Sequence, residues 1–267
     1  MKRKLVKNFV SIISLTLLFT LASFIPVGVR DIRVNKVVID AGHGGKDSGT
    51  IGKFSKEKDV ALKIARELGS IINKYLKDVE VIYTRDNDTF VELEQRAQLA
   101  NKNGADVFIS IHCNAVPRNK EKIYGTETYV MGLHTSEANL EVAKRENSVI
   151  LLEENYEERY EGFDPNAPES HILFSLYQNA YLENSLSLAQ KVEDQFKNRV
   201  GRKSRGVKQA GFWVLYRTSM PSILVEVGYL SNPKEEKYLN DDLGQTYIAS
   251  GIFRAFRDYK NEIENAH

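Results

Sequence analysis

Apolar residues recur along this chain with two different periods. Short β-branched runs at 37–39 (VVI), 79–84 (VEVIYT), 106–112 (DVFISIH), 126–131 (TETYVM), 206–215 and 222–227 (SILVEV) predict strands. Between them the apolar spacing changes to three and four. Over 55–75, Val60, Ile64, Ala65, Leu68, Ile71, Ile72 and Tyr75 mark one face of a helix, with Ser55 as its expected N-cap and Glu57 in its first turn. Leu93, Ala97 and Ala100 predict a second helix ending near Gly104, and Ile248, Ile252, Phe253, Phe256 and Tyr259 a last one over 245–263. The stretch 136–199 is richer in Glu and Asn and is interrupted by the turn formers of 160–170, YEGFDPNAPES, so it predicts a helix on each side of an irregular loop, the second over 172–199. Asn232-Pro233 reads as a turn. Strands alternating with helices predict a single α/β domain, a sheet with helices packed on it.

The first 30 residues change the picture. Lys2, Arg3, Lys4 and Lys7 precede an apolar run over 9–29, the pattern of a signal peptide or an N-terminal anchor. Ser11, Ser14, Ser23 and Pro26 make the run a poor bilayer span, so a signal peptide is favoured and no stable membrane span is expected after its removal. The expected destination is the periplasm or cell envelope. An exported chain with one cysteine, Cys113, has no intrachain disulfide and depends on its core, which 267 residues at 42% hydrophobic content can supply. A net charge of +1, from 37 basic and 36 acidic residues, offers no field for nucleic acid, which is excluded as a partner.

Chemistry enters with the loop after the first strand. His43 stands at the carboxyl end of a buried strand, where α/β sheets place ligands, among glycines at 42, 44, 45, 49 and 52 that leave room beside the imidazole. His112 ends the 106–112 strand in the same way. Parallel neighbours would bring both rings to one edge, and imidazole is a favoured zinc ligand; a hydrolytic zinc typically has three protein ligands and leaves the fourth position to water. Glu57 is the best third candidate, although an acid in a first helical turn also suits the helix dipole. Glu226 interrupts the apolar SILVEV strand, where an ionised carboxylate is costly unless paired or used. It is either a general base for metal-assisted hydrolysis or the partner of a buried arginine, for which Arg85 is available. Arg85 is otherwise read as a sheet-edge or substrate-carboxylate residue. Cys113 reads as a small buried residue. His134, His171 and His267 lack apolar strands behind them, and Tyr124, Trp213, Tyr216 and Tyr229 read as core rather than groove.

With these residues placed, the sequence resembles the zinc-dependent N-acetylmuramoyl-L-alanine amidases of the bacterial cell wall, the amidase-3 family, over about 34–259. The resemblance is carried by IDAGHGGKDSG at 39–49, EKD at 57–59, TRDND at 84–88, RAQLAN at 96–101, SIHCNA at 110–115 and PSILVEVGYLSN at 221–232, in that order. It implies a mixed, mostly parallel six-stranded sheet flanked by helices in a catalytic domain over 34–263. It also implies one Zn2+ on His43, Glu57 and His112, and Glu226 as catalytic glutamate; Arg85 and Asn114 are read as substrate-binding or structural residues. The implied reaction hydrolyses the peptidoglycan amide between N-acetylmuramic acid and L-alanine of the stem peptide. An insertion of about 140–185 departs from shorter members. Some relatives carry here a helix that covers the zinc until a protein activator displaces it, so Glu153, Glu154, Glu157 and Glu158 within 146–185 are candidate autoinhibitory ligands, and deletion of 146–170 is expected to raise activity. A zinc carboxypeptidase of wall peptides would use the same residues. A non-catalytic wall-binding module would lack a ligand or the base, whereas all four positions are filled.

Overall fold

A computed structural model of the chain describes residues 33–134, 136–167, 169–170 and 180–266. The expected leader at 1–30, His171, His267 and the first part of the helix predicted over 172–199 lie outside the described residues. Six strands, β1 (Lys36–Ala41), β2 (Glu80–Tyr83), β3 (Val107–Asn114), β4 (Thr126–Met131), β5 (Ser204–Ala210) and β6 (Ser222–Tyr229), form one sheet in the order β2-β1-β3-β6-β4-β5. Neighbours run parallel except β4 against β6, so the sheet is mixed and mostly parallel. Among the described residues the helices are α1 (Glu57–Tyr75), α2 (Leu93–Lys102), α3 (Glu137–Asn147), α4 (Tyr156–Arg159), α5 (Leu182–Gln195), α6 (Trp213–Tyr216), α7 (Pro233–Leu239) and α8 (Asp242–Asn265).

The two-residue period of the strands divides the core. Val37, Ile39 and Ala41 join the apolar layer under α1, α5 and α8, while Val38, Phe108, Tyr129 and Leu224 join the layer under α2, α3 and α6. His112 and Glu226 share the parity of Phe108 and Leu224. Both therefore belong to the α2/α3 face.

Three predicted elements are corrected. The strand predicted over 206–215 ends at Ala210, because the Asn147 side chain donates to the Gly211 carbonyl (2.7 Å) and accepts from the Trp213 amide (2.9 Å), replacing ladder partners and starting α6. Asn232-Pro233 begins a helix rather than a plain turn: Asn232 Oδ1 accepts from the Lys234 amide (2.9 Å) and Pro233 takes the first helical position. Ser55 does not cap α1; Lys56 stands at the N-cap, and Ser55 Oγ donates to Glu236 Oε1 at 2.9 Å.

Beneath the end of β1 lies a buried polar knot. Asp40 accepts from Arg96 Nη1 (2.8 Å), Thr84 Oγ1 (2.6 Å) and Ser110 Oγ (2.6 Å). Burial alone would raise the Asp40 pKa, but Arg96 and the two hydroxyls hold it below the usual carboxylate range. Arg96 also donates to the carbonyls of Ala41 and His43, both at 2.8 Å, so one guanidinium ties α2 to the loop after β1. Replacing Arg96 with Ala should cost about 3–5 kcal/mol, because Asp40 would stay buried without its counter-charge. Urea unfolding measures this, and a loss under about 1 kcal/mol would show that the knot is not stabilising.

Candidate metal centre

The loop after β1 is shaped to bring two imidazoles together. His43 has φ of 61°, and a Cβ at Gly42 would meet the His112 ring at 2.4 Å, so only glycine permits the approach. The two rings stand edge to face with centroids 4.8 Å apart. Arg85 holds the loop from behind, donating to the carbonyls of Ala41 (2.9 Å), Gly42 (2.7 Å) and Lys58 (2.8 Å). Asp47 Oδ2 lies 2.7 Å from His43 Nδ1 and turns Nε2 inward, the arrangement that orients a metal-binding histidine.

Glu57, the first residue of α1, is fully buried and fixed from both sides: Oε1 accepts from the Cys113 amide and Oε2 from the Thr50 amide, each at 2.8 Å. Its Oε1 lies 3.1 Å from His43 Nε2 and 3.2 Å from His112 Nδ1. A fourth side chain completes the group. Glu146, in the last turn of α3, brings Oε2 to 3.2 Å from His43 Nε2 and 2.9 Å from His112 Nδ1. One donor atom from each of His43, Glu57, His112 and Glu146 lies within 4.8 Å of the others.

The electrostatics call for a cation. Burial works against charging either ring, yet Glu57, Asp47 and Glu146 lift His43 well above the usual imidazole range, and Glu146 and Glu57 lift His112 to about 9. Protons here do the work of positive charge between two carboxylates. His43 Nε2 and Glu146 Oε2 are buried without hydrogen-bond partners while aimed at the same point, which fits a metal ion. Two imidazoles and two carboxylates are a donor set that suits zinc.

Glu226 lies beside this cluster, in register with His112 of β3 and with Glu127 of β4. It is fully buried, and neither of its carboxylate oxygens has a hydrogen-bond partner. Arg145 Nη2 stands 3.6 Å from Oε1. Burial first, and the Glu146 charge second, push the Glu226 pKa well above the carboxylate range.

Residues 37–258 match the family model described as N-acetylmuramoyl-L-alanine amidase. The chain belongs to that family. It is 34% identical over 233 residues to the amidase AmiA of Escherichia coli strain K12, covering 86% of this chain and 77% of the relative. It is also similar to the endolysin of Bacillus phage SPP1, 33% identical, over 80% of this chain and 62% of the phage protein. Among solved structures, the amidase of Clostridium difficile 630 superposes with a TM-score of 0.64 at 31% identity, covering 86% of this chain and 98% of that one. The CwlV catalytic domain of Bacillus (Paenibacillus) polymyxa var. colistinus gives 0.62 at 33% identity, covering 85% and 98%.

In this amidase fold His43, Glu57 and His112 come together, with Glu226 on the adjoining strand. Arg85 makes no pair with Glu226; the arginine near that carboxylate is Arg145. Asn114 is buried and bridges, donating to Glu127 Oε2 and accepting from Arg145 Nη2, both at 3.0 Å. None of the four acids that were candidates to supply a carboxylate here joins the cluster. Glu153 is buried elsewhere, accepting from the Leu93 amide (3.0 Å) and the Tyr160 hydroxyl (2.7 Å), and Glu154, Glu157 and Glu158 are exposed. Glu146 takes that place instead. Its signal was the buried spacing Asn139, Val142, Ala143, Glu146, which sets a carboxylate on the inward stripe of α3. Asp47 was likewise missed, since a hydrogen bond four residues along a glycine loop has no periodicity. Cys113 is buried and its thiol is pushed well above the usual range by burial and Glu57, which fits packing rather than nucleophilic attack. Asp47→Ala should lower the affinity of the cluster for added Zn2+ about 10–100-fold by releasing the His43 ring. Competition with a chromophoric chelator reads this directly, and an unchanged affinity would remove Asp47 from the centre.

Proposed function

We propose that this peptidoglycan amidase holds one zinc ion with His43, Glu57 and His112 and uses Glu226 as general base to cleave the amide between N-acetylmuramic acid and L-alanine. A zinc ion in such a site lowers the pKa of water to about 7 and polarises the scissile carbonyl. Glu226 takes the proton of the attacking water on a carboxylate oxygen and passes it to the leaving nitrogen of L-alanine. The observation that carries this reading is a fully buried carboxylate, hydrogen-bonded at neither oxygen, on the strand next to a four-donor cluster.

Glu146 supports a covered resting state. Its Oε2 stands where a water and a substrate carbonyl would need to approach, and the preceding Arg145 reaches toward the base, so one turn of α3 engages both halves of the machinery. A partner that draws α3 away would uncover them together, and the leader expected at 1–30 would place this activity in the cell envelope.

Glu226→Gln should keep its zinc and lose about 10²–10⁴-fold in the rate of releasing stem peptide that begins with L-alanine, followed by mass spectrometry on purified muropeptides. Wild-type turnover in that variant would exclude Glu226 as the base. Glu146→Ala should keep zinc and raise basal turnover, within the roughly 5–150-fold range typical of coupled equilibria. A fall in turnover with zinc retained would mean that Glu146 assists catalysis instead of covering the site.

A further inference from the structure

A second constellation lies one strand beyond Glu226. Glu127 is buried on β4, in register with Glu226, and two acids directly opposite each other across a strand pair repel unless one is neutralised. Glu127 is neutralised heavily. Its Oε1 accepts from Arg205 Nε (2.8 Å), Lys208 Nζ (2.6 Å) and the Tyr229 hydroxyl (2.6 Å), and its Oε2 from Asn114 Nδ2 (3.0 Å) and the Tyr129 hydroxyl (2.8 Å). Five donors fill a carboxylate that offers about four lone-pair sites, so Glu127 has nothing left for a substrate. Two cations set against one carboxylate leave a positive balance.

The backbone is deformed to bring those cations together. Residues 205 and 208 of a regular strand point to opposite faces. In β5 the pairing slips from Thr126 with Ser204 to Thr128 with Val207, one extra residue accommodated beside Gly206 at φ of 86°. That bulge turns Arg205 and Lys208 to the same carboxylate. Both stay partly open, with side chains 31% and 21% exposed, on the wall of a cavity of about 440 Å³ that Asn114, Glu127, Arg145 and Tyr229 also line. The cavity thus adjoins both α3 and the neighbourhood of the base.

We infer that Arg205 and Lys208, held by Glu127, form a subsite for a carboxylate of the stem peptide, the acidic side of the residue that follows L-alanine. The inference rests on the amidase reading above. β5 lies two strand spacings from β6, roughly 10 Å. That is about the span of two to three residues of extended peptide from the scissile bond. Glu127 is a positioning residue in this scheme, and Arg205 and Lys208 supply the charge-assisted hydrogen bonds.

Two synthetic muropeptides that differ only in a free carboxylate or a carboxamide at that residue test the assignment, using zinc-loaded full chain and kcat/KM from mass-resolved products. Wild type should prefer the carboxylate about tenfold, as charge-assisted hydrogen bonds predict. The ratio should fall toward one in Arg205→Ala and in Lys208→Ala, mainly through KM, and return in Lys208→Arg; zinc content and thermal unfolding confirm that each variant is folded. Equal rates on both peptides in wild type, or an undiminished preference in both alanine variants, would overturn the subsite and leave the amidase reading standing. Hydrolysis of neither peptide, by wild type and by Glu146→Ala alike, would overturn the amidase reading itself.

Discussion

The site depends on the register of three parallel strands. β1, β3 and β6 align so that Ala41 pairs with Ile111 and His112 with Glu226. Slippage by one residue would send His112 and Glu226 into the opposite apolar layer, because side chains alternate with a period of two. The alternating cores on the two faces hold that register: Ile109, Ile111, Ile223 and Val225 pack toward α1 and α8, and Phe108 and Leu224 toward α2 and α3. Packing that looks purely structural thereby determines which carboxylate meets which imidazole.

On this frame the polar groups are arranged in order of how firmly each is held. Asp40 and Arg96 are saturated with partners and fix the loop that carries His43. Glu57 is pinned by two backbone amides before it meets either histidine. Glu146 is held differently, by the imidazoles and by Arg145 Nε at 3.0 Å, with no backbone amide. A residue whose anchors are the donors of the site itself is the natural one to leave. Its helix also has fewer apolar anchors than α1, with Leu140, Val142 and Ala143 buried against Val60, Ala61, Ile64, Ala65, Leu68 and Ile72 in α1. The difference in holding separates the firmly fixed Glu57 from the less firmly anchored Glu146, as the proposed covered state requires.

Much of the architecture was readable along the chain. The β-branched runs and helical spacings located all six strands and the principal helices, since burial on a sheet face or a helix stripe leaves a periodic trace. Misread ends have local causes that lie far away in sequence: Asn147 stops β5 at Ala210, and Glu236 draws Ser55 away from the cap of α1. The turn read at Asn232-Pro233 was instead a helix start, visible in principle from an asparagine before proline.

For the chemistry, sequence alone picked out His43, Glu57, His112 and Glu226 as candidates, and the first three lie in the buried cluster with Glu226 beside it. Histidines ending two buried strands and a glutamate inside an apolar strand mark themselves, because burying a polar group without purpose is costly, whereas Glu57, an ordinary acid opening a helix, stood out only beside the two histidines. Tertiary structure alone decided which remaining acids and cations join them. Glu146 rather than Glu153 reaches the imidazoles, Arg145 rather than Arg85 approaches Glu226, and a single bulged residue brings Arg205 and Lys208 onto Glu127. Those choices depend on distances of a few ångströms between elements far apart in the chain, and periodicity carries no record of them.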